Sequence, residues 1–143
     1  TLANALLKNN ENKQAILTFE KALALRPEDF DSWVKRTVLV MQAGTVEEKI
    51  RAARDVLERY PNFTGGYEWL GDVLEKNGRA EEALGIYQTM AETFPNESAP
   101  WVNLARASDQ LGRPEDMKEY MAKAVHLNPA LAKNPVVQKI LHP

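Results

Sequence analysis

The sequence predicts an all-α fold of stacked helix–turn–helix units, and three observations carry that prediction. Pro27, Pro61, Pro95 and Pro129 each stand 34 residues apart. Gly44, Gly78 and Gly112 keep the same spacing, and Asn10 extends their column backwards. Trp33, Tyr67 and Trp101 form a third column of that period, and Leu70 and Leu104, reached also by Leu2, form a fourth. Independent columns sharing one interval mark an internal repeat of a single structural unit.

Each column has a physical task. A proline lacks the N–H that a helix interior needs, and its ring collides with the preceding turn, so each proline stops the apolar stretch before it. Each glycine falls about midway between prolines, where it is expected to end the first helix of a unit in a left-handed conformation. Asn10 is the next most tolerant residue for that geometry. Between the breaks the apolar spacing is helical: Leu70, Val73 and Leu74 share one stripe, and Ala83, Leu84, Tyr87, Met90 and Ala91 share the next. Thr45 with Glu48 fits a capping box, Ser98 precedes Pro100 in a first turn, and Pro114 suits a first helical position. No run alternates with a strand period, so no sheet is expected.

Small residues at Ala3, Gly71 and Ala105, and at Ala15 and Ala83, are expected where helices approach closely. The unit over residues 30–63 departs most. Arg36 replaces the leucine of its column, Lys49 the alanine and Ala53 the aromatic residue. Either long stems snorkel to water there, or a rotated helix pair bends the stack or meets a partner. After Pro129, Asn134 and Pro135 read as a helix start, and Val136, Val137, Ile140 and Leu141 give a short apolar stripe. This segment, 132–143, is expected to cap the last unit, to begin a further one, or to dock into a neighbouring molecule.

The set Tyr67, Leu70, Gly71, Leu74, Gly78, Ala83, Tyr87, Pro95 resembles the tetratricopeptide repeat (TPR) signature at matching offsets. Trp101, Leu104, Ala105, Gly112, Ala124, Pro129 is similar, and so is Leu2, Ala3, Leu6, Ala15, Phe19, Ala22, Pro27. The resemblance covers roughly 1–131. It implies a right-handed α-solenoid of about four repeats: a truncated one over 1–29, then 30–63, 64–97 and 98–131, with a C-terminal capping helix in 132–143. The chain is read as one such domain and as a fragment of a larger protein.

The resemblance also implies that the first helix of each repeat lines a concave face that binds a peptide or helix of a partner. Helical spacing then selects Val34, Lys35 and Val38, with Trp69, Asp72, Asn103 and Arg106, as partner-binding residues. Asp31, Met41, Gly65, Glu68, Glu75, Ala99, Val102 and Asp109 fill the same columns, and Asn4, Leu7 and Lys8 join from the first repeat. Trp69 is not the aromatic residue of the signature column, which Tyr67 fills. Either it is an open hot spot beside Val34, Val38 and Met41, or it packs on the second helix of the previous repeat as core. Asn103 sits where many family members hold an extended peptide backbone. The family's clamp for chaperone C-terminal carboxylates would need lysine at Val34, asparagine at Val38 and Trp69, lysine at Ala99 and arginine at Asn103; none matches. Starting one repeat earlier, only Asn4 fits. The asparagine ladder of O-linked N-acetylglucosamine transferases is missing too, since that column reads Lys35, Trp69, Asn103.

No enzyme chemistry is visible, and no cofactor or metal is expected. The two histidines, His126 and His142, join no cluster with metal-ligand spacing. His126 falls at a helix end, where a cation meets the dipole favourably. Glu47–Glu48 and Glu81–Glu82 open second helices rather than forming an acid/base pair. Asn96-Glu97-Ser98 matches a glycosylation acceptor, which matters only in a secreted eukaryotic setting. Eighteen Lys+Arg against 20 Asp+Glu give a net charge of -2, which argues against nucleic acid as the main partner. No purely apolar run exceeds four residues, far short of the ~20 that cross a bilayer. The absence of cysteine excludes disulfides without fixing a compartment; cytoplasm and periplasm are both compatible.

Three functions follow as expectations: a protein-binding scaffold, a self-assembling module whose uncapped first half-repeat and apolar tail stack head to tail, or the regulatory arm of a larger enzyme or secretion component.

Overall fold

The computed structural model describes residues 1–143 and contains only helices and turns. Eight α-helices follow in order: α1 Leu2–Leu25, α2 Phe30–Ala43, α3 Val46–Arg59, α4 Thr64–Lys76, α5 Ala80–Thr93, α6 Ala99–Gln110, α7 Pro114–Leu127 and α8 Pro135–Leu141. A short 3₁₀ turn, Pro129–Lys133, precedes α8. The chain forms two compact units, Thr1–Trp69 and Leu70–Pro143.

All four column prolines act as stops. The helices before them end at Leu25, Arg59, Thr93 and Leu127, two residues short of Pro27, Pro61, Pro95 and Pro129. The intervening caps Arg26, Tyr60, Phe94 and Asn128 have ψ between 66° and 89°. The ring of the following proline drives those residues out of the α region. Two columns gain a second device. Trp33 Nε1 donates to the Pro27 carbonyl at 2.8 Å, and the Tyr67 hydroxyl donates to the Pro61 carbonyl at 2.8 Å. A ring with a polar tip thus ties the next helix to the carbonyl at the previous stop.

The glycine column splits. Gly78 and Gly112 are left-handed, with φ of 72° and 67°, as expected. Gly44 is not: its φ is -78°. A Cβ there would run into the Val40 carbonyl, so close approach is what that position requires. The next residue, Thr45, already caps α3, because Thr45 and Glu48 close the capping box: Glu48 N–H donates to Thr45 Oγ1 at 3.2 Å and Thr45 N–H to Glu48 Oε2 at 2.9 Å. Thr45→Ala is expected to cost about 1 kcal/mol. A urea transition unchanged in midpoint and slope would show that the box contributes nothing.

Asn10 does not break the chain either. α1 runs unbroken through it, and no non-glycine residue has positive φ. Asparagine inside a helix costs a fraction of a kcal/mol against alanine, less than a lone left-handed turn with nothing to pack against. Ala3 is accordingly exposed rather than set at a close helix contact.

In the first unit the core holds Leu23, Val40, Ile50, Ala52, Ala53 and Val56. Arg36 does not snorkel to water. Its side chain is only 18% exposed, and its Nε and Nη2 donate to Glu20 Oε1 at 3.1 and 2.8 Å. At the start of α2, Asp29 accepts from Ser32 Oγ at 2.7 Å and from its N–H, which holds the Asp29 carboxyl below its usual range.

In the second unit Leu70, Leu74, Ala83, Tyr87, Met90 and Leu104 are at most 1% exposed. Gly71 has no side chain because the Tyr87 ring occupies that space. Pro114 opens α7 as expected; Ser98 caps α6 without a side-chain hydrogen bond. Asn134 accepts from Val136 N–H at 2.9 Å and starts α8. Val137 of α8 joins Ala105, Met121 and Ala124 in one cluster, with Ile140 and Leu141 packed against it. Val136 stays 65% exposed and outside the expected stripe. The capping helix thus uses three of its four apolar residues.

Candidate functional site

The first unit holds four of the seven candidate residues. On α2, Val34 is half-buried, Val38 is 37% exposed, and Lys35 is exposed. Lys35 pairs with Asp31 one turn earlier at 2.8 Å, and that bond raises the ammonium above its ordinary range. Both partners are well exposed, so the pair fixes side-chain direction more than stability.

Trp69 is half-buried, neither sealed core nor a free ring. It meets Phe63 edge-on, with centroids 5.4 Å apart and planes at 68°. Phe63 in turn meets Phe30 at 5.2 Å and 85°, and Phe30 meets Tyr60 at 4.9 Å and 77°. Edge-to-face packing of this kind adds roughly 0.5–1.5 kcal/mol per pair beyond buried area. Gly65 is required beneath it, since a Cβ there would enter the Phe63 ring. Sequence reasoning singled out Trp69 but missed the ladder that holds it. Phe30, Tyr60 and Phe63 lie at helix ends outside the groove columns, yet an aromatic residue on each side of a proline stop is a readable signal.

The second unit holds the other three. Asp72 is exposed and pairs with Lys76 at 2.8 Å. Asn103 is buried, at 9% exposure. Arg106 is about half exposed but already engaged: its Nη2 and Nε donate to Glu75 Oε1 and Oε2, each at 3.0 Å. Glu75, expected on an open face, is instead buried, with its side chain 4% exposed. It also accepts from the Tyr87 hydroxyl at 2.6 Å and from Gln110 Nε2 at 2.9 Å, and Arg106 Nη2 donates to the Tyr87 oxygen at 3.2 Å. Both Glu75 oxygens and the Tyr87 hydroxyl thus find their partners within the unit. Burial, and then the bond to Glu75, push the Tyr87 phenol well above its usual range; the Glu75 bond likewise raises Arg106. The missed signal was tyrosine at a position sealed from water, because a buried phenol needs a partner.

No group of three or more His, Asp or Glu side chains has a metal-holding arrangement. No helix is long and apolar enough to cross a membrane.

The tetratricopeptide repeat family matches residues 1–62 and 50–98 in one form and 99–131 in another. Hsp70-Hsp90 organizing protein 3 of Arabidopsis thaliana is 24% identical over 145 residues, which is 96% of this chain and 25% of that protein. The chain therefore spans a quarter of that relative's length. The solved structure of MamA from Desulfovibrio magneticus RS-1 aligns with a TM-score of 0.68 at 20% identity, covering 92% of this chain and 75% of that one. YrrB, described as a TPR protein with an unusual peptide-binding site, aligns with a TM-score of 0.67 at 21% identity, covering 97% and 69%. At these identities the structures speak to the fold. With helix stops, left-handed glycines and tied aromatic residues all at the repeat's interval, this chain belongs to the tetratricopeptide repeat family.

Proposed function

We propose that the chain is a protein-interaction scaffold that binds a peptide or helix of another protein through first-helix faces. The observation that carries this reading is Trp69: a large ring partly open to water, met edge-on by Phe63, which Phe30 meets in turn, in the same unit as the exposed Val38. A pre-positioned aromatic anchor binds with little loss of side-chain freedom. Val34, Lys35 and Val38 supply the aliphatic and charged surroundings in that unit. Asp72, Asn103 and Arg106 offer polar contacts in the second, Arg106 through the part of its guanidinium that Glu75 leaves open.

Chaperone binding does not carry over from the Arabidopsis relative. The residues at Val34, Val38, Trp69, Ala99 and Asn103 lack the amides and cations of the carboxylate clamp. The repeat division at 30, 64 and 98, and descent from a longer chain, belong to this proposal as well.

Trp69→Ala is expected to weaken partner capture by about 2 kcal/mol, roughly thirtyfold, while circular dichroism stays unchanged and Trp69→Phe retains part of the affinity. Equal capture by the folded alanine variant removes Trp69 from the site.

One observation favours a second reading, self-association. Leu2, Leu6 and Leu7 of α1 are 77%, 59% and 63% exposed, and Val136 of α8 is 65% exposed. Deleting 132–143 is expected to lower the molar mass in solution if α8 joins copies. A monomeric parent chain ends this reading.

A further inference from the structure

We infer that the first unit carries a second binding site, on the side of α2 turned away from Val34 and Val38, which takes a single acidic side chain on an aliphatic segment of a partner polypeptide. Arg36, Val40 and Ala43 recur at helical spacing roughly opposite Val34 and Val38. With α1 and the start of α3 they border an open cavity of about 430 Å³, within the roughly 300–1,000 Å³ of ligand sites.

Its lining is apolar where Leu17 and Val40 face it, and charged where Lys13, Glu20, Arg36, Glu48 and Arg51 do. Three cations against two acids leave one positive charge. Both acids are occupied: Glu20 accepts two hydrogen bonds from Arg36, and Glu48 closes the capping box of α3. Lys13 and Arg51 have no acidic partner of their own. Arg36 has a further Nη1 that is buried with no partner, a donor not yet satisfied. That atom is sealed from solvent, so the guest's carboxylate is met by the exposed Lys13 and Arg51.

The charge balance selects the guest. One unpaired positive charge between apolar walls complements a monoanion with an aliphatic stem. A phosphate dianion would meet Glu20 and Glu48. The walls are helix surface with no free backbone donors, so side chains do the recognising and a polypeptide can insert one residue from outside. This site is independent of Trp69.

The test is a titration of the 143-residue chain, followed by amide NMR, with three probes. These are a short capped leucine-rich peptide with one central glutamate, its glutamine counterpart, and octanoate. The glutamate peptide is expected to shift amides within 13–20 and 36–52, and the glutamine peptide to bind roughly tenfold more weakly. Lys13→Glu and Arg51→Glu, both on exposed positions, are expected to give the same loss with unchanged helicity. Equal binding of both peptides, shifts confined to the Val34–Val38 side, or no shift at millimolar peptide would each overturn the inference. Octanoate binding where the peptide fails would assign the cavity to a free fatty acid and overturn the polypeptide partner.

Discussion

Gly71→Ala is expected to destabilise the second unit by about 3 kcal/mol, the upper end of what overpacking a tight core costs. A Cβ at this position falls on the Tyr87 ring and its hydroxyl. The ring cannot step aside cheaply, because it is fully buried and its hydroxyl is held by Glu75 and Arg106. Either α4 and α5 part locally, or Tyr87 leaves its rotamer and abandons both bonds. Glycine here serves contact and not backbone conformation, since φ at Gly71 is helical. The test of that distinction is the pair Gly71→Ala with Tyr87→Leu. Shortening the ring is expected to return part of the loss, so the double variant should be more stable than the sum of the single effects predicts. By contrast, Gly85→Ala lies on an exposed helix surface with nothing within 4 Å of the new Cβ; it is expected to stabilise slightly through helix propensity. Strict additivity at 71 and 87, measured by urea unfolding, would mean that the two residues do not press on each other.

The same pair shows which parts of this protein were legible in its residues. Helix stops were, because a proline acts on its own backbone and on the residue before it, whatever the rest of the chain does. Gly78 and Gly112 were legible for the same reason. Gly44 and Asn10 were not. Their columns share the interval but not the local contest: at 44 a capping box took over the turn, and at 10 no second helix lay ready to reward a break. The small residue at Gly71 was expected, but the identity of its neighbour's polar tip was passed over. Interval counting gave Glu75 the company of Met41 and Asp109 on an open face. What decides its burial is Tyr87, 12 residues on, and Arg106, 31 residues on. Helical phase names a direction; it does not say what stands there. Trp69 lies between these cases. Its face was read from spacing, whereas its half-buried state depends on Phe63, whose loop position no helical period covers.

Glu75→Ala is expected to cost the second unit about 2–3 kcal/mol, and the cost should depend on pH through a different residue. Removing the carboxylate leaves the Tyr87 hydroxyl sealed from water with Arg106 alone beside it, and an unmet buried hydroxyl costs about 1–3 kcal/mol. The Arg106 side of the pair contributes less, because that guanidinium is half exposed and regains water when released. Tyr87 then sets the alkaline behaviour. Its phenol titrates higher in the folded chain than the ~10 of an unfolded tyrosine, first because of burial and second because of Glu75. The stabilisation from keeping that proton is therefore complete below pH ~10 and is lost as pH rises above it, since the unfolded chain ionises first. In Glu75→Ala the burial part remains and the Glu75 part goes, so the decline begins at the same pH but ends at a lower one, and the total alkaline loss is smaller. Tyr87→Phe abolishes this residue's share altogether. Urea midpoints taken between pH ~9 and ~11 are expected to fall together in parent and Glu75→Ala and to fall less in Tyr87→Phe. If parent and Tyr87→Phe lose stability in parallel, the phenol is not the group that the buried carboxylate governs, and the network holds the unit together by packing alone.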